Sequence, residues 1–184
     1  MPVPYSSIAI ANHFIEQFGK TDGIEHMKLQ KLVYCSYGWW LAVKGIDEVR
    51  LTKDHPEIWK HGPVFSNLYN VFKVFGRQCI KEMQSSNPFV DPENIDHDDS
   101  EVKSLIKWVW GRYGHLSSFA LSDMTHKLGT PWYRVATENN FKIAFNTKIP
   151  DKYIFEEFQK LLKASDFSPN NIENNANGEV RQQA

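Results

Sequence analysis

The segment from Met27 to Val43 constrains the fold more than any other part of the chain. At helical spacing its large apolar residues fall on two faces rather than one. The first face carries Leu29, Leu32, Val33, Trp40 and Val43, and the second carries Tyr34, Tyr37 and Leu41. A helix that is apolar on most sides is stable only when other elements cover it. The segment therefore predicts a central helix packed against several neighbours.

Apolar residues at helical spacing predict further helices before and after this segment. Ser6 or Ser7 can cap the first helix, and Asp98 with Glu101 resembles a capping box with Asp in place of Ser or Thr. Later helices are predicted to begin near residues 64, 98, 117 or 118, 131 and 151. The predicted fold is mostly α, a single compact helical domain of about six or seven helices with a small β element.

The small β element is predicted from alternation of apolar and polar residues. Such alternation covers residues 48–51 and 141–145, and 57–59 can form another short strand. Pro56 and the Gly62-Pro63 pair interrupt residues 46–63, which favours a small ribbon and an ordered loop there. Pro63 is expected to start the helix that follows.

Composition limits the class of protein. The chain has 184 residues, 21 Lys plus Arg and 22 Asp plus Glu, so its net charge of −1 argues against a general nucleic-acid binder. Residues 1–164 are predicted to form one domain, and the Asn-rich segment 165–184 is predicted to be a disordered polar tail. No apolar run reaches the roughly 18 residues of a membrane span, and no secretory signal opens the chain. With only Cys35 and Cys79, a reducing cytoplasm is the expected location.

Sequence patterns of catalytic and cofactor sites are absent. No glycine-rich phosphate loop occurs, and the histidines and cysteines lack the spacing of a zinc site. Cys35 lies in the most apolar helix, where a thiol is inert. We therefore expect no enzyme activity, no cofactor and no metal, although a site assembled from distant residues such as Cys35, His61 and His126 stays an alternative.

Aromatic and cationic residues cluster on either side of the Gly62-Pro63 turn. If that turn folds over the central helix, it places a cationic rim beside exposed rings, which is the composition of protein-binding hot spots. A purely structural turn, in which Gly62 supplies a permissive backbone, is the alternative. The residues predicted to contact a protein partner are Lys28, Lys31, Trp39, Trp40, Trp59, Lys60, His61 and Tyr69.

Four blocks in order resemble the SocA-like antitoxin family, also called the Panacea-domain family, which is related to phage-associated GepA-type proteins. The first is Leu29-Gln30-Lys31-Leu32-Val33-Tyr34, followed by Gly38-Trp39-Trp40. The second is Trp59-Lys60-His61-Gly62-Pro63-Val64, and the third is Leu68-Tyr69. The fourth runs from Leu121 through Thr125-His126 to Gly129-Thr130-Pro131-Trp132. The resemblance covers residues 5–163, nearly the whole predicted domain.

This resemblance implies a mostly helical antitoxin of a type II toxin–antitoxin system, which binds and neutralises a toxin protein encoded beside it. It gives the eight residues named above the role of toxin contacts and the remaining motif residues a structural role. The alternatives are an adaptor that delivers the toxin to a protease, with a protease or chaperone as further partner, and a phage-associated enzyme. Some family members carry a separate DNA-binding domain, for which this chain has no room, so nucleic-acid binding by this chain alone is not expected. The tail after residue 164 is predicted to be either a docking segment or a loose end.

Overall fold

The structure is a computed structural model that describes residues 4–165. Within that range it has seven α-helices and two antiparallel two-stranded sheets, so the predicted mostly α fold is confirmed. The helices are α1 (Ser7–Phe18), α2 (His26–Lys44), α3 (Ser66–Phe72), α4 (Ser100–Tyr113), α5 (Ser118–Thr125), α6 (Pro131–Glu138) and α7 (Asp151–Lys163). The strands are β1 (Ile24–Glu25), β2 (Glu57–Trp59), β3 (Gly62–Val64) and β4 (Cys79–Ile80). Apart from residue 165, the predicted tail lies outside the described residues.

Helix α2 is the centre of the fold, as its sequence predicts. Every residue from 29 to 42 is buried, because α1, α3, α4, α5 and α7 all pack on it. Gly38 permits the closest of these approaches, since a Cβ at this position would lie 2.3 Å from the ring of Phe158 on α7. The core is therefore arranged around α2 rather than between two layers.

Side-chain caps fix where several helices begin. The side chains of Ser6, Ser117 and Thr130 each accept a hydrogen bond from the backbone N–H three residues on. Each cap satisfies one of the backbone donors that a helix start leaves without a partner. Of the two caps predicted for the first helix, Ser6 is the one observed.

The cap of α4 differs from the prediction. Asp99, not Asp98, accepts from the N–H of Val102, so the predicted capping box is wrong. Asp99 also accepts a hydrogen bond of 2.8 Å from the hydroxyl of Tyr5, whereas the side chain of Asp98 is fully exposed. A contact with a distant residue thus selects one of two adjacent acids.

Two of the predicted strands are absent. Residues 48–51 form no strand, and the chain there pairs only briefly with Tyr5, whose N–H donates to the oxygen of Leu51 at 2.9 Å. Residues 141–145 form no strand either, and Phe141 and Phe145 are exposed. Alternation without a neighbouring strand to pair with does not make a strand in either case.

The short strand predicted at 57–59 forms, but it pairs with Gly62–Val64 and not with residues 48–51. Pro63 therefore lies in β3, and the helix expected from residue 64 begins at Ser66 instead. The sequence did not predict the pairing of β1 with β4, which joins residues 24–25 to 79–80. Within residues 4–165, no helix has both the length and the apolar character needed to cross a bilayer.

Candidate functional site

The β2–β3 hairpin is held against α2 and α5 at Gly62. This glycine has a φ of 100°, a region that other residues rarely adopt. A Cβ here would lie 2.5 Å from Oγ1 of Thr125 and 2.8 Å from Cε of Lys31. Gly62 is therefore required twice, for its backbone angle and for the close approach of the hairpin to both helices.

Lys31 lies beneath the hairpin. Only 1% of its surface is exposed, and its Nζ donates a hydrogen bond of 3.0 Å to the oxygen of Pro63. Burial lowers the pKa of this ammonium to about 7, because the charged form loses its hydration. The prediction that Lys31 belongs to an exposed cationic rim is therefore wrong, and its role is to attach β3 to α2.

Gln30 makes a second connection between α2 and the hairpin. Its Oε1 accepts from the backbone N–H of Phe65 at 2.9 Å, and its Nε2 donates to the oxygen of the same residue at 3.3 Å. Both backbone groups of Phe65 are thereby satisfied in the interior, where an unpaired group costs about 1–3 kcal/mol. The other motif residues of α2, namely Leu29, Leu32 and Tyr34, are buried in the core.

The fourth sequence block holds the outer side of the hairpin. His126 has Nδ1 at 2.7 Å from the oxygen of Ser122 and Nε2 at 3.1 Å from the oxygen of Lys60. Trp132, which follows Pro131 at the start of α6, donates from Nε1 to the oxygen of Trp59 at 2.7 Å. The hairpin is consequently fixed on two sides by side chains far away in sequence.

Four of the predicted contact residues lie together on the surface of this assembly. Lys60 and His61 form the hairpin turn and are exposed, while Trp59 and Tyr69 are half-buried. The rings of Trp59 and Tyr69 pack with their centroids 4.8 Å apart. We call these four residues the hairpin face. It combines the exposed side chains of Lys60 and His61 with two rings that pack against each other.

The other predicted contact residues lie elsewhere. Trp39 and Trp40 are 0% and 4% exposed, and their indole N–H groups donate to the hydroxyl of Tyr113 and the oxygen of Val49. Neither ring can touch a partner in this conformation, so the surface role predicted for them is wrong. Lys28 is half-buried, and its Nζ donates to the oxygen of Gly114 at the end of α4, away from the hairpin.

A cavity of about 390 Å³ opens beside the hairpin face, where α2 and α5 both begin. Its lining includes His26, Met27, His61, Arg77, Phe119 and Ser122. Phe119 is 75% exposed. The sequence analysis did not predict this cavity. The available signal was Phe119, which does not lie on the helix face that carries Leu121 and Met124 and so was not expected in the core.

The three residues of the alternative catalytic site have different surroundings. Cys35 is buried in α2, and burial raises the pKa of its thiol to about 12. His126 is engaged by two backbone oxygens, and His61 is at the exposed hairpin turn. Among residues 4–165, no group of three or more His, Cys, Asp or Glu side chains is arranged to hold a metal ion.

Two comparisons with known proteins found matches to this chain. Residues 29–133 match the family model described as antitoxin SocA-like, Panacea domain. The chain is also 28% identical over 166 residues to Antitoxin SocA of Caulobacter vibrioides (strain NA1000 / CB15N), covering 86% of this chain and 85% of that protein. No solved structure matches the chain. The matched range contains α2 from Leu29 onward, the hairpin and the residues that hold it.

Proposed function

The chain belongs to the SocA-like antitoxin family, and we propose that it neutralises a toxin by binding it directly through the hairpin face, as the antitoxin of a type II system. The observation that carries this proposal is the pairing of exposed Lys60 and His61 with half-buried Trp59 and Tyr69 on a rigid support. The antitoxin and its toxin would both be cytoplasmic. The toxin would be the product of a neighbouring gene.

The support of the hairpin favours binding because it lowers the entropy lost on association. Buried Lys31 and Gln30 hold the inner side of the hairpin, and Trp132 holds the outer side. Rings presented from a fixed backbone lose little freedom when a partner covers them. Tyr and Trp in such positions are the residues that most often dominate the binding energy of an interface.

The charges of the hairpin face favour an acidic partner surface. Lys60 forms no ion pair within the described part of the chain. A cation at the rim of an interface acts mainly on the association rate, and added salt screens its effect. The toxin surface that meets Lys60 is thus expected to carry carboxylates.

We further propose that the protein acts by binding and not by catalysis. The raised pKa of Cys35 supports this, since a buried thiol is not a nucleophile at neutral pH. Replacing Cys35, His61 and His126 by Ala one at a time distinguishes the two modes. A catalytic role predicts variants that still bind the toxin but no longer neutralise it. The proposal predicts that neutralisation and toxin binding change together.

The deciding experiment expresses the neighbouring gene product with and without this protein. The proposal expects growth arrest by that product alone and growth when both are made. The Lys60→Glu, His61→Ala double variant is expected to lose most of the rescue, while Lys107→Glu with His97→Ala, exposed residues of a separate cleft between α1 and α4, is expected to keep it. Growth arrest with wild-type antitoxin present contradicts the proposal.

Purified proteins separate blocking from delivery to a protease. If the purified pair forms a stable complex in which the toxin is inactive with no protease present, direct neutralisation is sufficient. If the toxin stays active in the complex and disappears only in cells that contain a protease, the protein is an adaptor instead.

A further inference from the structure

We propose that the cavity beside the hairpin face is a receptor for an apolar side chain of the toxin that is flanked by a carboxylate. This inference rests on the proposed function and adds the chemistry of the toxin segment that is bound. The cavity is called here the α2–α5 cavity, lined by His26, Met27, His61, Arg77, Phe119 and Ser122.

The shape of the α2–α5 cavity suits one large apolar side chain. Its volume of about 390 Å³ is at the small end of ligand-binding pockets, which run from about 300 to 1,000 Å³. Most of the accessible surface inside the cavity belongs to apolar atoms, although several of the lining residues are polar. His26 is 7% exposed, and the ring of Phe119, 75% exposed, forms a wall that water now covers. An apolar side chain that enters removes this ring surface from water, which is the main source of affinity in such a pocket.

The electrostatics of the cavity favour a negative group next to that side chain. Arg77 is exposed and forms no ion pair within residues 4–165. The N-termini of α2 and α5 also meet here, and a helix N-terminus carries about half a positive charge. Glu25 is the acidic residue of the lining, and its carboxylate already accepts a hydrogen bond from Ser118. Glu25 offsets the charge of Arg77, so the two helix N-termini leave a positive excess at the mouth.

The α2–α5 cavity is continuous with the hairpin face, which identifies the occupant as part of the same partner. His61 belongs to both surfaces. Tyr69 packs on His26 with the ring centroids 5.3 Å apart, and His26 lines the cavity. A protein seated on Trp59 and Tyr69 thus lies over the mouth of the cavity. A specific complex buries about 1,600 Å², far more than four residues offer, so the contact must extend beyond the hairpin face.

The test measures binding of the purified toxin to the full-length antitoxin and to exposed-residue variants. Phe119→Ala is expected to weaken binding about tenfold, mainly through faster dissociation. Arg77→Glu is expected to weaken binding by a similar factor and to make it less sensitive to salt. Phe89→Ala and Lys107→Glu are matched controls on exposed residues and are expected to stay within about twofold of wild type. All four residues are exposed, so thermal unfolding should be unchanged.

The outcomes distinguish this inference from the proposed function. If the wild-type protein does not bind the toxin, the proposed function fails. If the wild-type protein binds, the Lys60→Glu, His61→Ala variant weakens binding and both cavity variants behave like their controls, the cavity inference is overturned while the proposed function stands. Recovery of Arg77→Glu binding by replacing a toxin Asp or Glu with Arg would identify the carboxylate.

Discussion

Replacing Lys31 by Met should remove a pH-dependent part of the free energy of unfolding. In the native protein burial lowers the pKa of Lys31 from 10.5 to about 7, whereas the unfolded chain keeps the ordinary value. Between these two values the unfolded state binds more protons than the native state, so the free energy of unfolding rises with pH. The destabilisation by Lys31 is complete below the native pKa and is relieved as the pH approaches the unfolded pKa.

The magnitude follows from the two pKa values. At 1.36 kcal/mol for each pKa unit, Lys31 destabilises the fold by about 4 kcal/mol at pH 7 and by about 2 kcal/mol at pH 9. Wild type should therefore gain about 2 kcal/mol relative to Lys31→Met over this interval. The variant also loses the hydrogen bond to Pro63, which lowers its free energy of unfolding by about 1 kcal/mol at every pH. This loss does not change the slope of the free energy of unfolding against pH.

Urea unfolding of both proteins at pH 7, 8 and 9 measures this difference. The exposed Lys107→Met variant is the control, and its curve is expected to run parallel to that of wild type. Parallel curves for wild type and Lys31→Met would refute the reasoning, because they would mean that the ammonium of Lys31 is hydrated or paired in the native state.

Three further predictions concern the support of the site and the core. Gly62→Ala should destabilise the protein by about 3 kcal/mol, because backbone strain at positive φ adds to a steric clash of the new Cβ. Gly129→Ala is the control, since it is also at positive φ but has open space around it, and it should cost about 1 kcal/mol. Thermal unfolding measures both. Gly38→Ala should destabilise the protein by about 2 kcal/mol through overpacking. Gly111→Ala, at a helix position with open space around it, should stabilise the protein by about 0.5–1 kcal/mol. Denaturant unfolding should therefore give changes in the free energy of unfolding with opposite signs for the two variants. Asp99→Ala should lower the melting temperature by the equivalent of about 1–2 kcal/mol through loss of the α4 cap, and an unchanged melting temperature would contradict the assignment of that cap.

The elements that depend on local pattern are the ones the sequence predicted well. Helix α2 follows from apolar residues on two faces, and its central position follows because such a helix needs cover on all sides. Of the hairpin, only the first strand at residues 57–59 was predicted, because Pro63 was expected to begin a helix and not to lie in a strand. By contrast, residues 141–145 alternate in polarity but have no strand to pair with, which is a fact of the whole fold and not of the segment.

The site was predicted in part for the same reason. The sequence places Lys28 and Lys31 on neighbouring positions of one helix, but it does not show that the Gly62 turn covers one of them. Lys28 instead reaches the end of α4. Trp39 and Trp40 look like surface anchors until the positions of α4 and α7 are known. Contacts between distant segments decide which rings and charges are exposed, and spacing along the chain does not contain them.

A ribosome releases β2 and β3 well before it releases the residues that fix them in place. Trp132 and His126 follow the hairpin by more than a third of the described chain, and both bind its backbone oxygens. A nascent chain that ends before His126 therefore lacks both of these outer contacts with the hairpin. Under the proposed function, a chain that stops before Trp132 presents Trp59 without that support and is expected to bind the toxin more weakly than the complete domain.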